Sequence, residues 1–110
     1  MKTEQIDKFK QEIEEEIERR HYNSLVYVLF DELNTTPFAI HIFYRDHLFM
    51  VNSRDDRSYV RGETFEFTNF LEAKDKFFKV LDFIVREGRR DVAKRGSYMY
   101  PSPLWDDATE

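Results

Sequence analysis

Cysteine is absent from this 110-residue chain, which removes disulfide frameworks, thiolate metal sites and thiol nucleophiles together and fits a reducing cytosol. Glycine and proline occur only three times each, too rarely for a linker-rich or low-complexity chain. No apolar run approaches the ~20 residues of a membrane-spanning helix. Met1-Lys2-Thr3-Glu4-Gln5 leads directly into a charged segment, without the apolar stretch of a signal peptide. The expectation is a soluble, unprocessed, cytoplasmic protein with no membrane partner. Positive charge is also short: 17 Lys and Arg against 22 Asp and Glu give a net charge of −5. A general affinity for nucleic acid or an anionic membrane needs the opposite balance.

What the chain does have is aromatic bulk. Eleven Phe, six Tyr and one Trp supply rings that bury about 150–250 Å² each, enough for one core in a chain of this length. Thr3 is placed to cap a helix whose apolar residues Ile6, Phe9, Ile13 and Ile17 recur at spacings of three and four. Its other faces are acidic, with Glu12, Glu14, Glu15, Glu16 and Glu18, and Arg19 and Arg20 suit the dipole of the last turn. From Ser24 the pattern changes to the aromatic and β-branched run Leu25 to Phe30, which predicts a strand. A turn at Asn34-Thr35-Thr36-Pro37 precedes a second strand, Phe38 to Tyr44. Arg45-Asp46 then turns into a third strand from Leu48 to Val51. Such tight connections predict antiparallel neighbours.

Ser58 to Arg61 reads as a short fourth strand ended by Gly62, and the alternation of Phe65 and Phe67 as an edge strand or an anchor for the next helix. Asn69 with Glu72 three residues later is a capping pair. It opens a helix that buries Phe70, Ala73, Phe77, Leu81 and Ile84, and continues through a weak point at Gly88 to Gly96. The prediction is an α+β two-layer sandwich: helix, three or four antiparallel strands, helix, with both helices on one face of the sheet. The opposite face, carrying His41 and Phe43, is expected to be wet and open to a partner. Residues 1–97 form one domain in this reading. Residues 98–110 form an aromatic, Pro-containing tail that docks in part, with Phe83 as one candidate receptor.

The search for chemistry finds no motif. His21, His41 and His47 stand at no metal-ligand spacing, so no metal and no cofactor is expected. Asp31 with Glu32 and Asp55 with Asp56 are paired only in sequence, since neighbouring strand residues point apart and Asp-Asp is ordinary turn chemistry. No catalytic residue is assigned, and only a deep polar pocket gathering Asp31, Glu32, His41 and His47 would reverse that. Lys74, Lys76 and Lys79 invite comparison with double-stranded-RNA-binding domains, but interleaved Glu72 and Asp75 and the acidic first helix argue against it. The basic run Arg86, Arg89, Arg90, Lys94 and Arg95 is free to pair within the fold or with a partner.

The stretch Tyr27-Val28-Leu29-Phe30-Asp31-Glu32, the strand pair leading to Asp56-Arg57-Ser58, and Phe67-Thr68-Asn69-Phe70-Leu71-Glu72-Ala73 together resemble small immunity proteins of bacterial polymorphic toxin systems. The aromatic tail has no counterpart in that resemblance. It implies a non-catalytic protein that neutralises a cognate protein toxin by direct binding. Tight complexes rest on a few aromatic or Arg anchors among steering charges. Asp46, Asp55, Asp56, Arg57 and Tyr59 are the partner-binding candidates, and their alternative use is internal, as turn formers and an Asp–Arg pair. A homodimer through the sheet or the tail, and less favourably an RNA-binding domain, stay open beside this reading.

Overall fold

The computed structural model describes residues 1–106. Helix α1 (Thr3–Arg19) is followed by strands β1 (Tyr27–Leu29), β2 (Ile40–Arg45), β3 (Leu48–Arg54) and β4 (Val60–Phe67), then by helix α2 (Phe70–Arg95) and a 3-10 turn, Pro103–Asp106. The end of the expected tail, 107–110, lies outside the described residues.

Helix α1 buries Ile13 and Ile17 along its apolar stripe, and Phe9 stacks on Phe70 of α2 at 3.9 Å between ring centroids. Thr3 is the first helical residue and not the cap. Lys2 holds that position, and its carbonyl accepts from Gln5 and Ile6 N–H, so an exposed terminus is closed by backbone alone. At the other end His21 takes a left-handed conformation, φ 59°. Tyr22 N–H then reaches back to Ile17 O at 2.9 Å, a helix stop in which His stands where Gly is usual. Helix α2 does use its predicted cap: Asn69 Oδ1 accepts from Glu72 N–H at 2.9 Å. It runs through Gly88 to a left-handed Gly96, φ 64°.

The sheet order is β1-β2-β3-β4. Strands β2, β3 and β4 pair antiparallel, but β1 pairs with β2 in parallel. This corrects the all-antiparallel expectation, and the reason is the connection. Residues 30–39 form a crossover instead of a hairpin turn, which lets the second strand start at the same end as the first. Strand β1 is also shorter than its apolar run, because Phe30 turns away with φ 53°.

Both helices cover one face. Ile13 and Ile17 of α1, Phe77 and Leu81 of α2, and Ile40, Ile42, Phe49 and Val51 of the sheet belong to a single buried cluster. The opposite face is not wet. His41, Phe43, Met50 and Asn52 are all buried, because the crossover and two arginines close over them. Arg45 lies over the Phe43 ring and pairs with Glu32 of the crossover at 3.0 Å, and Arg54 Nε donates to Asn52 Oδ1. Gly62 does not end a strand but lies within β4. Between Arg61 and Phe65 the strand takes four steps against two on β3, a bulge that the positive φ of Gly62, 70°, accommodates.

The segment after α2 folds back onto the core. Trp105 is buried and donates its indole N–H to Tyr100 O at 2.6 Å. Ser102 Oγ meets Ser24 Oγ at 2.7 Å, and Arg89 Nε donates to Leu104 O. Its receptor is Gly88, where a Cβ would overlap the Trp105 ring. Phe83 does not receive it; that side chain stays 45% exposed and lines a cleft with Arg61, Gly62 and Val80.

Candidate functional site

The five residues singled out from the sequence fall at two ends of the sheet. Asp46 occupies the β2–β3 turn in a left-handed conformation, φ 54°. Asp55, Asp56, Arg57 and Tyr59 lie on the β3–β4 loop. The seven residues of β3 separate these turns, about 20 Å at the usual rise per residue. They do not form one patch.

Within the loop the residues divide by role. Asp55 is used internally: its Oδ1 accepts from Arg57 N–H at 2.8 Å and from Tyr59 N–H at 2.9 Å. Those two bonds hold its carboxyl below the usual range. Its backbone is equally engaged, donating to Tyr59 O and accepting from Ser58 and Phe38 N–H. An Asp at the first position of a turn does this work readily. Asp56 and Arg57 point to solvent, and Tyr59 is 68% exposed. The Asp55 geometry thus ties the loop down and leaves Asp56, Arg57 and Tyr59 presented.

A second feature was not singled out in the sequence. Along β4 and the adjoining side of α2 runs an apolar seam with two clefts. One, about 460 Å³, is lined by Phe67, Leu71, Glu72, Asp75, Lys76 and Lys79. The other, about 260 Å³, is lined by Ser53, Arg61, Gly62, Val80, Phe83 and Ile84. Leu71 is 70% exposed. The available signal was weak: Leu71 and Phe83 sit off the buried stripe of α2 at helical spacing, and isolated exposed apolar residues are common.

The charged surface is polarised. Glu4, Glu14, Glu15 and Glu18 are exposed on α1. Glu16 is bound by Arg19 and by Arg20 at 2.7 Å, and these hydrogen bonds lower its pKa to about 2. Arg20 continues to Asp82 of α2 at 3.3 Å, and Tyr22 donates to the same carboxylate at 2.6 Å. Burial, then that bond, push the Tyr22 phenol up to about 12. Cations collect near the end of α2, where Arg61, Glu87, Arg90, Asp91, Lys94 and Arg95 line a polar cleft of about 460 Å³.

Asp31, Glu32, His41 and His47 do not converge on a pocket. Asp31 accepts from Asn34, Glu32 is taken by Arg45, and His47 is an exposed turn residue. His41 is wholly buried with neither ring nitrogen hydrogen-bonded. Burial, helped by the nearby Arg54 charge, lowers its pKa to about 4, so the ring is neutral at pH 7. Among the described residues no group of three or more His, Asp or Glu side chains is placed to hold a metal ion, and no helix is long and apolar enough to cross a membrane. Comparison with curated proteins and with solved structures finds no match. Comparison with protein families finds one over residues 6–106, to a family described as Immunity protein 59.

Proposed function

The chain belongs to the immunity protein 59 family, and on that premise we propose that it is a non-catalytic inhibitor that neutralises a cognate bacterial toxin by binding it. The observation that carries this reading is the extent of the family match, which runs from Ile6 within α1 through all four strands and α2 to Asp106, and so covers most of the aromatic tail that was expected to have no counterpart. Inhibition by occlusion needs a stable surface and a few well-placed anchors, not a reactive centre. The polar side chains fit that requirement: Asp55 fixes a loop, Arg45 and Glu32 close the outer face, and Asp82 joins the two helices. Asp56, Arg57 and Tyr59 are the presented residues of that fixed loop and serve as candidate contacts. The target is a protein of the same cytoplasm, and the acidic surface disfavours a nucleic-acid partner.

The test is co-expression of the chain with the toxin domain encoded beside it. Recovery of a stoichiometric complex, together with loss of toxicity, is the expected result. A toxin that kills equally well in the presence of the folded chain, and does not co-purify with it, would sink the reading.

A further inference from the structure

Of the two edges of the sheet, β1 offers three residues and β4 offers eight. The outward groups of β4 follow from the ladder. Arg54 N–H donates to Ala39 O on the β2 side, and alternation along β3 then turns Ser53, Val51 and Phe49 toward β4. Their partners Arg61, Phe65 and Phe67 face β3 in return, and Glu66, between two of them, directs its N–H and C=O outward. An unpaired strand edge is matched by one kind of occupant, an extended backbone.

Two further observations describe that occupant. The seam beside the edge is apolar, with Phe67 and Leu71 in one cleft and Val80, Phe83 and Ile84 in the next. Along β4 itself acidic side chains outnumber basic ones, Glu63 and Glu66 against Arg61, and the cations gathered at the end of α2 lie toward Arg61. Glu63 and Glu66 are exposed and form no ion pair among the described residues, whereas the neighbouring cations are engaged. Arg61 faces Glu87 at 3.8 Å, Lys76 lies over the Phe65 ring at 4.0 Å and Lys79 meets Asp75 at 3.0 Å. A second copy of this chain is a poor match. Antiparallel pairing of β4 with itself centred on Glu63 or on Thr64 brings no opposite charges together, and the register centred on Gly62, which sets Arg61 against Glu63, draws on an arginine that already faces Glu87 at 3.8 Å.

We propose that β4 takes up an extended, basic segment of the protein partner as a fifth strand, with apolar side chains in the seam clefts and Lys or Arg opposite Glu63 and Glu66. The identity of that partner as the toxin rests on the reading above; the docking edge rests on the geometry of β4. The toxin domain encoded beside this chain is the probe. Amide hydrogen exchange of the wild-type chain is measured with and without it, and Kd is compared for wild type, Glu66→Pro and the double variant Glu63→Lys/Glu66→Lys. Pro at an outward-facing edge position spares the β3–β4 ladder, and circular dichroism and thermal unfolding report whether the variants are folded.

The expected result is slowed exchange across 60–67 in the complex, a roughly tenfold or greater rise in Kd for Glu66→Pro from one lost backbone hydrogen bond, and slower association for the charge-reversed variant. Tight binding by the wild type with unchanged exchange in β4 would overturn the edge and leave the toxin-binding reading standing. So would equal affinity for all three folded chains. Failure of the wild type to bind the toxin domain would overturn both.

Discussion

A methyl group at Gly88 would strike the indole of Trp105, although Ala is worth about 1 kcal/mol more than Gly inside a helix. The two effects oppose each other, and the clash is the larger because the indole is buried and held by its bond to Tyr100 O. Gly88→Ala is therefore expected to destabilise by about 1–3 kcal/mol. In a Trp105→Ala background the same substitution should become stabilising by about 1 kcal/mol. Urea unfolding of the four chains in this cycle decides it, and a Gly88→Ala effect of the same sign in both backgrounds contradicts the packing account. His41 carries a second residue-scale prediction. Its folded pKa, about 4, lies below its ordinary value of 6.5, so between these values the unfolded chain holds more protons. Stability attributable to His41 is complete above pH 6.5 and is lost as pH falls toward 4, by up to about 3 kcal/mol. His41→Leu should flatten unfolding free energy against pH in that window, and an unchanged slope would show that the ring is protonated in the fold.

The β3–β4 loop shows how an element can be fixed by one side chain. Asp55 accepts two backbone N–H groups within its own loop, while Asp56 accepts none. Asp55→Ala should lower the denaturant midpoint through these lost bonds, and Asp56→Ala, which loses none, should leave it close to wild type. Denaturant midpoints separate the two, and equal midpoints would deny Asp55 its structural role. The N-terminus of α2 was open to the same reasoning from sequence alone, since Asn69 and Glu72 are three residues apart and cap through local bonds only. Nothing local distinguished Asp55 from Asp56. The choice depends on which carboxylate faces the amides of Arg57 and Tyr59 once β3 and β4 are paired. The parallel β1–β2 pair was hidden for a similar reason: an apolar run predicts a strand but not its direction, and the direction here follows from the path of residues 30–39 across the sheet.

For the molecule as a whole, the C-terminal segment joins elements that are distant in sequence. Ser102 meets Ser24, Tyr100 OH accepts from Val26 N–H, and Trp105 sits on α2. Ending the chain after Ser97 removes these contacts and a buried indole. It is expected to lower stability by about 3–5 kcal/mol, the usual loss for a large core aromatic. Calorimetry on the shortened chain checks this, and an unchanged Tm would make residues 1–97 a self-sufficient domain.

The sequence by itself determined the α+β class, the two helices and the residues they bury, because periodicity and capping are local properties of the chain. Ile13 and Ile17, Phe77 and Leu81 were legible as core for that reason. It also carried the resemblance to immunity proteins, through short motifs that survive without knowledge of their packing. Only the tertiary structure decided that His41 and Phe43 are sealed beneath Arg45, Glu32 and the crossover, and that Phe83 faces the seam instead of the tail. It likewise separated Asp46 from Asp55 by the length of a strand. Burial of a sheet face and the distance between two turns depend on contacts between residues far apart in sequence, and no local pattern encodes them.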